Sequence, residues 1–183
     1  MTADVIRLGN RSCDEMGRGY ARYEFPDTDK PDEYAVHSAY IHYRLANGQL
    51  LHVLQNDAYC AVCETICVAE HLPSIEELTK EIAELDDPDS EASRILRFVG
   101  NSKERRIAEL HLRINWMRSR SSAARCLHCG ATEIHPLPFA EQFIHPVTGE
   151  RVLTTERGFM STDEWHAEFT SDGELIPGTQ HGG

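Results

Sequence analysis

The sequence predicts an α+β fold, an antiparallel β body interrupted by a three-helix insertion. Three observations predict it. Both ends of the chain carry runs that alternate with period two and are rich in aromatic and β-branched residues. Between Pro73 and Ala124 the apolar residues switch to helical spacing. Asn47-Gly48, Thr148-Gly149 and Asp172-Gly173 separate strand-like runs and mark tight turns. Residues 1–72 then form an N-terminal β segment, 73–124 the helical insertion and 125–183 a C-terminal β segment, which suits a chain of 183 residues built as one globular unit.

Asp4 to Leu8 reads as a short strand, and Gly17 to Asp32 as a loop, because Gly, Pro and Asp are dense there. Tyr34 to Leu45 alternates, and Leu50 to Gln55 follows Asn47-Gly48. Asn-Gly is the strongest short-range hairpin signal, since a type I′ turn needs positive φ at both central residues. A two-residue turn sets Leu45 opposite Leu50, Tyr43 opposite His52 and Ile41 opposite Leu54, and these six form the expected buried face. His42 then faces away from His52. Ile66, Cys67, Val68 and Leu72 read as one apolar helical turn.

Ser74-Ile-Glu-Glu77 is a capping box ahead of Ile75, Leu78, Ile82 and Leu85. Asp87-Pro88 ends that helix and supplies an N-cap with Pro at the first position of the next, whose stripe is Ala92, Ile95, Leu96 and Val99 up to Gly100. Asn101-Ser-Lys-Glu104 caps a third helix with Ile107, Leu110, Ile114 and Met117 on one side. Beyond Gly130, Phe143-Ile144 faces Arg151 to Thr155, and Trp165 to Phe169 faces Glu174 to Ile176. Pro177 to Gly183 reads as a frayed tail.

Thirty Asp and Glu against 18 Lys and Arg leave a net charge of -12, which excludes a protein that coats nucleic acid or anionic lipid with its whole surface. The charge is uneven. Between Arg94 and Arg125, nine Lys or Arg meet only Glu104 and Glu109, a local +7 that leaves -19 elsewhere. No apolar stretch approaches the roughly 18 residues of a membrane span, and the start lacks the basic and apolar regions of a secretory signal. A cytoplasmic protein with no membrane partner is expected.

Four of the six cysteines form two pairs, Cys60-Ala-Val-Cys63 and Cys126-Leu-His-Cys129, the second followed by Gly130. A CxxC turn aims two thiolates at one point, so two such turns facing each other complete a tetrahedral four-thiolate shell for zinc. These residues resemble the zinc-ribbon family, with Cys60, Cys63, Cys126 and Cys129 matching its four ligands. The resemblance covers the two knuckles and their neighbouring strands, about a quarter of the chain. It implies a structural Zn2+ that ties the two β segments together. The 62 residues between Cys63 and Cys126 exceed the usual ribbon spacing, so the three helices split the ribbon. Buried reduced pairs, a disulfide framework and an iron–sulfur cluster that includes Cys67 are the alternatives.

Cys67 and His71, four apart, share a helix face on this reading and belong to the core more naturally than to a nucleophile and base. Cys13 reads as a spectator. The histidines fall in no metalloprotease spacing, and His135 and His145 are loop residues that a ligand set could borrow. The C-terminal Gly182-Gly183 resembles the tail of ubiquitin-like modifiers, whose compact β-grasp fold suits neither the helices nor the cysteine pairs. Arg105, Arg106, Arg113, Arg118 and Arg120 are candidate contacts for phosphates or for a protein partner. The competing reading pairs the basic helix with Glu76, Glu77, Glu81, Glu84, Asp86 and Asp87 of the first helix. No nucleophile elbow, P-loop or Rossmann fingerprint is present. A non-enzymatic adaptor with an unidentified protein partner is therefore expected first, a nucleic-acid-associated factor second, and an enzyme of unidentified activity third.

Overall fold

The computed structural model describes residues 18–98, 102–160 and 165–182. Asp4 to Leu8, Cys13, Val99, Gly100 and Asn101 lie outside the described residues. The chain divides into two compact units, a helical one over Pro73–Ser119 and a β unit made of Gly17–Leu72 and Arg120–Gly183. Among the described residues the fold is mixed α+β, with three helices and mainly antiparallel sheets. Among the described residues no helix is long and apolar enough to cross a membrane.

In the helical unit, α1 (Ile75–Asp86) starts with the expected capping box, Ser74 accepting from the Glu77 N–H and Glu77 accepting from the Ser74 N–H. Leu78 and Leu85 are buried, while Ile75 at the helix start is exposed. α2 (Glu91–Phe98) begins later than the Asp87-Pro88 signal suggested. Asp87 instead closes α1, and the Ser90 hydroxyl caps α2 by accepting from the Ser93 N–H at 3.0 Å. α3 (Lys103–Ser119) is capped by Ser102, which accepts from the Arg105 N–H. Leu78, Leu85, Leu110 and Ile114 form the core of this unit, with Ile82, Ala92, Leu96, Ile107 and Met117 packed against it.

The described residues of the β unit form three sheets. The first has the order β2-β1-β9-β8, from β1 (Arg18–Glu24), β2 (Glu33–Val36), β8 (Gln142–Ile144) and β9 (Arg151–Met160). β1 falls where a loop was expected, and its signal is short: Ala21, Tyr23 and Phe25 alternate inward and are buried. They pack with Ala35, Ile66, Phe143 and Val152. The expected pairing of Phe143 with the strand after Thr148-Gly149 is present, Phe143 lying opposite Val152.

The second sheet has the order β11-β10-β3-β4, from β3 (Tyr40–Arg44), β4 (Leu50–His52), β10 (Trp165–Thr170) and β11 (His181–Gly182). The run from Tyr34 to Leu45 thus breaks at His37 to Ala39 and serves two sheets. The β3–β4 register differs by one residue from the expected one, with Tyr43 opposite Leu51 and His42 opposite His52. The turn is longer than two residues. The Gly48 N–H bonds the Leu45 carbonyl, the Leu45 N–H bonds the Gln49 carbonyl, and only Gly48 takes positive φ (79°). One residue of slip moves a whole strand face, so Leu51 and Val53 are buried where Leu50 and Leu54 were expected, and Leu50 is exposed. His42 and His52 accordingly share a face, their ring centres 5.6 Å apart. β3 runs parallel to β10, an exception to the antiparallel body. Leu175 makes only a bridge to Phe169, and the tail pairs with β10 through β11 instead of fraying.

The third sheet, β6-β5-β7, carries the cysteines: β5 (Gln55–Cys60), β6 (Thr65–Glu70) and β7 (Ile134–Pro136). Residues 66–70 are strand where a helical turn was expected, so Cys67 and His71 share no helix face.

Candidate metal centre

β5 ends at Cys60, the chain turns through Ala61 and Val62 to Cys63, and β6 returns antiparallel with Cys60 opposite Thr65. The second knuckle is stitched to the same sheet on both sides. Cys126 bridges Ala69, the Leu127 N–H bonds the Val68 carbonyl, and the Glu70 N–H bonds the Arg125 carbonyl. After the knuckle, β7 pairs with β5, Cys60 facing Ile134. Both turns therefore stand at one end of one sheet.

The sulfurs of Cys60, Cys63, Cys126 and Cys129 lie within 4.8 Å of one another and could hold a metal ion. The Cys60–Cys129 pair is 3.6 Å apart and the Cys63–Cys126 pair 4.0 Å. Zn–S bonds of about 2.3 Å in a tetrahedron require sulfurs about 3.8 Å apart, a value the two measured distances bracket. Cys60 and Cys126 are buried, Cys63 half-buried and Cys129 exposed.

Burial pushes the Cys60 and Cys63 thiols up, and the neighbouring sulfurs push Cys63 further. A bound dication reverses that preference, because a coordinating thiol is deprotonated outright. Cys126 already leans that way, held below the usual thiol range by the Cys67 thiol and the knuckle N–H groups despite its burial.

Cys67 stands outside the four-sulfur group but not away from it. Its sulfur is 3.5 Å from that of Cys126, and it is half-buried, less enclosed than the core position expected for it. Contact with Cys126 and burial both raise its pKa. The substitute ligands are not drawn in. His135 is exposed on β7, and buried His145 spends Nδ1 on the Val147 and Thr148 N–H groups.

Sequence reasoning missed what positions the second knuckle. Glu70, at the end of β6, accepts from the Tyr43 hydroxyl at 2.7 Å, from Arg120 at 3.1 and 2.6 Å and from the Arg125 N–H at 2.8 Å. Both charged side chains are almost fully buried. Gly173 lies against this pair, where a Cβ would come within 2.5 Å of Glu70 Oε1 and 2.6 Å of an Arg120 nitrogen. Arg125 adds bonds to the Asp172 and Gly130 carbonyls. The signal in the sequence was a charged residue in an apolar run, Glu70 after Ile66-Cys-Val-Ala69.

The other arginines singled out from the sequence divide by environment. Arg106 pairs with Glu81 of α1 at 2.7 Å and with Glu109 at 2.8 Å, and Lys103 reaches Asp86. Arg113 is buried with Glu109 beside it, and Arg120 belongs to the Glu70 clamp. Arg105 and Arg118 are exposed. No family model, curated protein or solved structure matches this chain.

Proposed function

We propose that Cys60, Cys63, Cys126 and Cys129 hold one structural Zn2+ in a zinc ribbon split by the helical insertion, and that the protein is a non-enzymatic interaction or adaptor module. The convergence of four sulfurs within 4.8 Å from knuckles 62 residues apart carries the metal reading. Four thiolates saturate a tetrahedral ion and leave no position for water or substrate, so the ion serves the fold. A reducing cytoplasmic compartment suits a cluster of free thiols. Intramolecular use of Arg106, Arg113 and Arg120 supports a protein partner over nucleic acid, since it withdraws three of five candidate cations from phosphates.

Elemental analysis of the purified protein is expected to find one zinc per chain, and chelation to lower its melting temperature, because a site formed only on folding adds its binding energy to stability. Zinc-free protein of equal stability would overturn the reading. A salt titration against duplex DNA and RNA tests the adaptor role. Tight binding with a log-log slope near -0.9 per neutralised phosphate, abolished by replacing Arg105 and Arg118 with Ala, would favour a nucleic-acid-associated factor instead.

A further inference from the structure

We propose that Cys67 is the resolving thiol of a redox switch on this centre, forming a reversible disulfide with Cys126 that takes one ligand away from the zinc. The inference rests on the zinc reading above and adds its regulation. Among the described residues five thiols gather here, and a tetrahedral ion takes four. Cys67 is the one left over, and it is not left at a distance. Its sulfur lies 3.5 Å from that of Cys126, closer than either of the two ligand pairs measured above.

The backbone builds this proximity in. Ala69 and Cys126 are bridge partners, with the Leu127 N–H on the Val68 carbonyl and the Glu70 N–H on the Arg125 carbonyl. Cys67 sits two residues before Ala69 and so points to the same side of β6. Closing to a disulfide length of about 2.05 Å asks the two sulfurs to approach by about 1.5 Å. Cys126, itself buried, is among the residues that border an open cleft, with His128, Cys129, Phe169, Glu174 and Leu175.

The oxidant is hydrogen peroxide. The Cys126 sulfur attacks one peroxide oxygen, the O–O bond breaks, and hydroxide leaves to be protonated by solvent, giving a sulfenic acid. The Cys67 sulfur then displaces that oxygen. An S–S bond forms, the S–O bond breaks, and the oxygen departs as water with the Cys67 proton. Two electrons pass from two sulfurs to one peroxide. The zinc keeps only Cys60, Cys63 and Cys129, and a dithiol reductant restores the fourth ligand by thiol–disulfide exchange.

The test treats zinc-loaded protein with hydrogen peroxide and follows three readouts, zinc captured by a chromophoric chelator, intact mass and the disulfide map. Wild type is expected to lose two hydrogens in mass, to link Cys67 to Cys126 and to release its zinc, all reversed by dithiothreitol. Cys67→Ala and Cys67→Ser are expected to bind zinc normally when reduced and to lose both the disulfide and the reversible release. A disulfide mapped within Cys60-Cys63 or Cys126-Cys129, or unchanged reversible release from Cys67→Ala, would overturn the switch. Reduced wild type that carries no metal sinks the zinc reading instead. The disulfide map then still decides the pairing, and absence of the Cys67–Cys126 link would refute it.

Discussion

Glu64 and Gly130 hold the same place in the two knuckles, directly after the second cysteine, and both take positive φ, 54° and 76°. The left-handed region costs an L-residue roughly 1–2 kcal/mol and glycine almost nothing. The second knuckle meets the demand with glycine and the first with glutamate. Glu64→Gly is therefore expected to stabilise the β unit by up to about 1 kcal/mol, the strain relief being offset in part by greater freedom in the unfolded chain. Gly130→Ala is expected to cost about 1–2 kcal/mol, and since nothing lies within 4 Å of its added methyl, the cost is purely one of backbone conformation. Denaturant unfolding of the two variants beside wild type checks both signs.

His145 carries a second expectation at this scale. It is buried, its Nδ1 accepts the Val147 and Thr148 N–H groups, and its ring stands edge-on to Tyr59 with centres 4.4 Å apart. Burial first, then nearby Lys30, holds its pKa below the ordinary 6.5. The folded state therefore keeps a neutral ring that the unfolded chain protonates readily. With more protons bound on unfolding, stability falls as pH drops through 6.5 and keeps falling until the folded ring also titrates. Urea midpoints are expected to decline between neutral pH and about pH 5. His145→Asn, which keeps an acceptor for the turn, is expected to flatten that part of the decline, and an unchanged slope would remove His145 as its cause.

At the scale of elements, the Glu70 clamp decides where the second knuckle stands. Tyr43 on β3, Arg120 and the Arg125 N–H converge on one buried carboxylate at the end of β6, one residue from the Ala69–Cys126 bridge. Removing one partner of such a pair strands the other charge. Glu70→Gln is expected to cost about 3–5 kcal/mol and to weaken zinc retention along with stability. Gly173→Ala should fail similarly, combining positive φ with a methyl forced onto the pair. Thermal unfolding and a competitive chelator titration on the same samples read both effects together.

The same elements show what was legible in the sequence and what was not. The capping box of α1, the strand pairing across Thr148-Gly149 and the cysteine pairs are local signals, fixed by residues within a few positions of each other, and each appears in the structure. The β3–β4 register was not legible because Asn47-Gly48 permits two turn lengths, and only the longer buries Leu51 and Val53. β6 was misread because a short apolar run has no period of its own. It becomes a strand through pairing with β5 along its whole length. β1 was hidden by the polar residues of its outer face, whereas Ala21, Tyr23 and Phe25 face the core. Strand pairing, which no single run encodes, decided each miss. The Cys67–Cys126 contact belongs to the same class, since it exists only because β6 is a strand with Cys126 at its edge.

At the scale of the molecule, the helical unit leaves the β unit after Leu72 and the chain re-enters it at Arg120. Within the β unit these two ends are already close. The guanidinium of Arg120 bonds Glu70, and the Glu70 N–H bonds the Arg125 carbonyl. The helices also carry their own core, built from Leu78, Leu85, Leu110 and Ile114, and their own ion pairs between Arg106, Lys103 and the acids of α1. Replacing Pro73–Ser119 by a short Gly-Ser linker is therefore expected to leave a β unit that still binds one zinc through Cys60, Cys63, Cys126 and Cys129. Closing a shorter loop lowers the entropic cost by about 0.6 kcal/mol for each halving of its length, which offsets part of whatever the helices contribute. Zinc stoichiometry and a cooperative melting transition of the shortened protein are the measurements. A shortened chain that neither binds zinc nor melts cooperatively would show that the helices are required to hold the two knuckles in place, and the split-ribbon reading would fail with it.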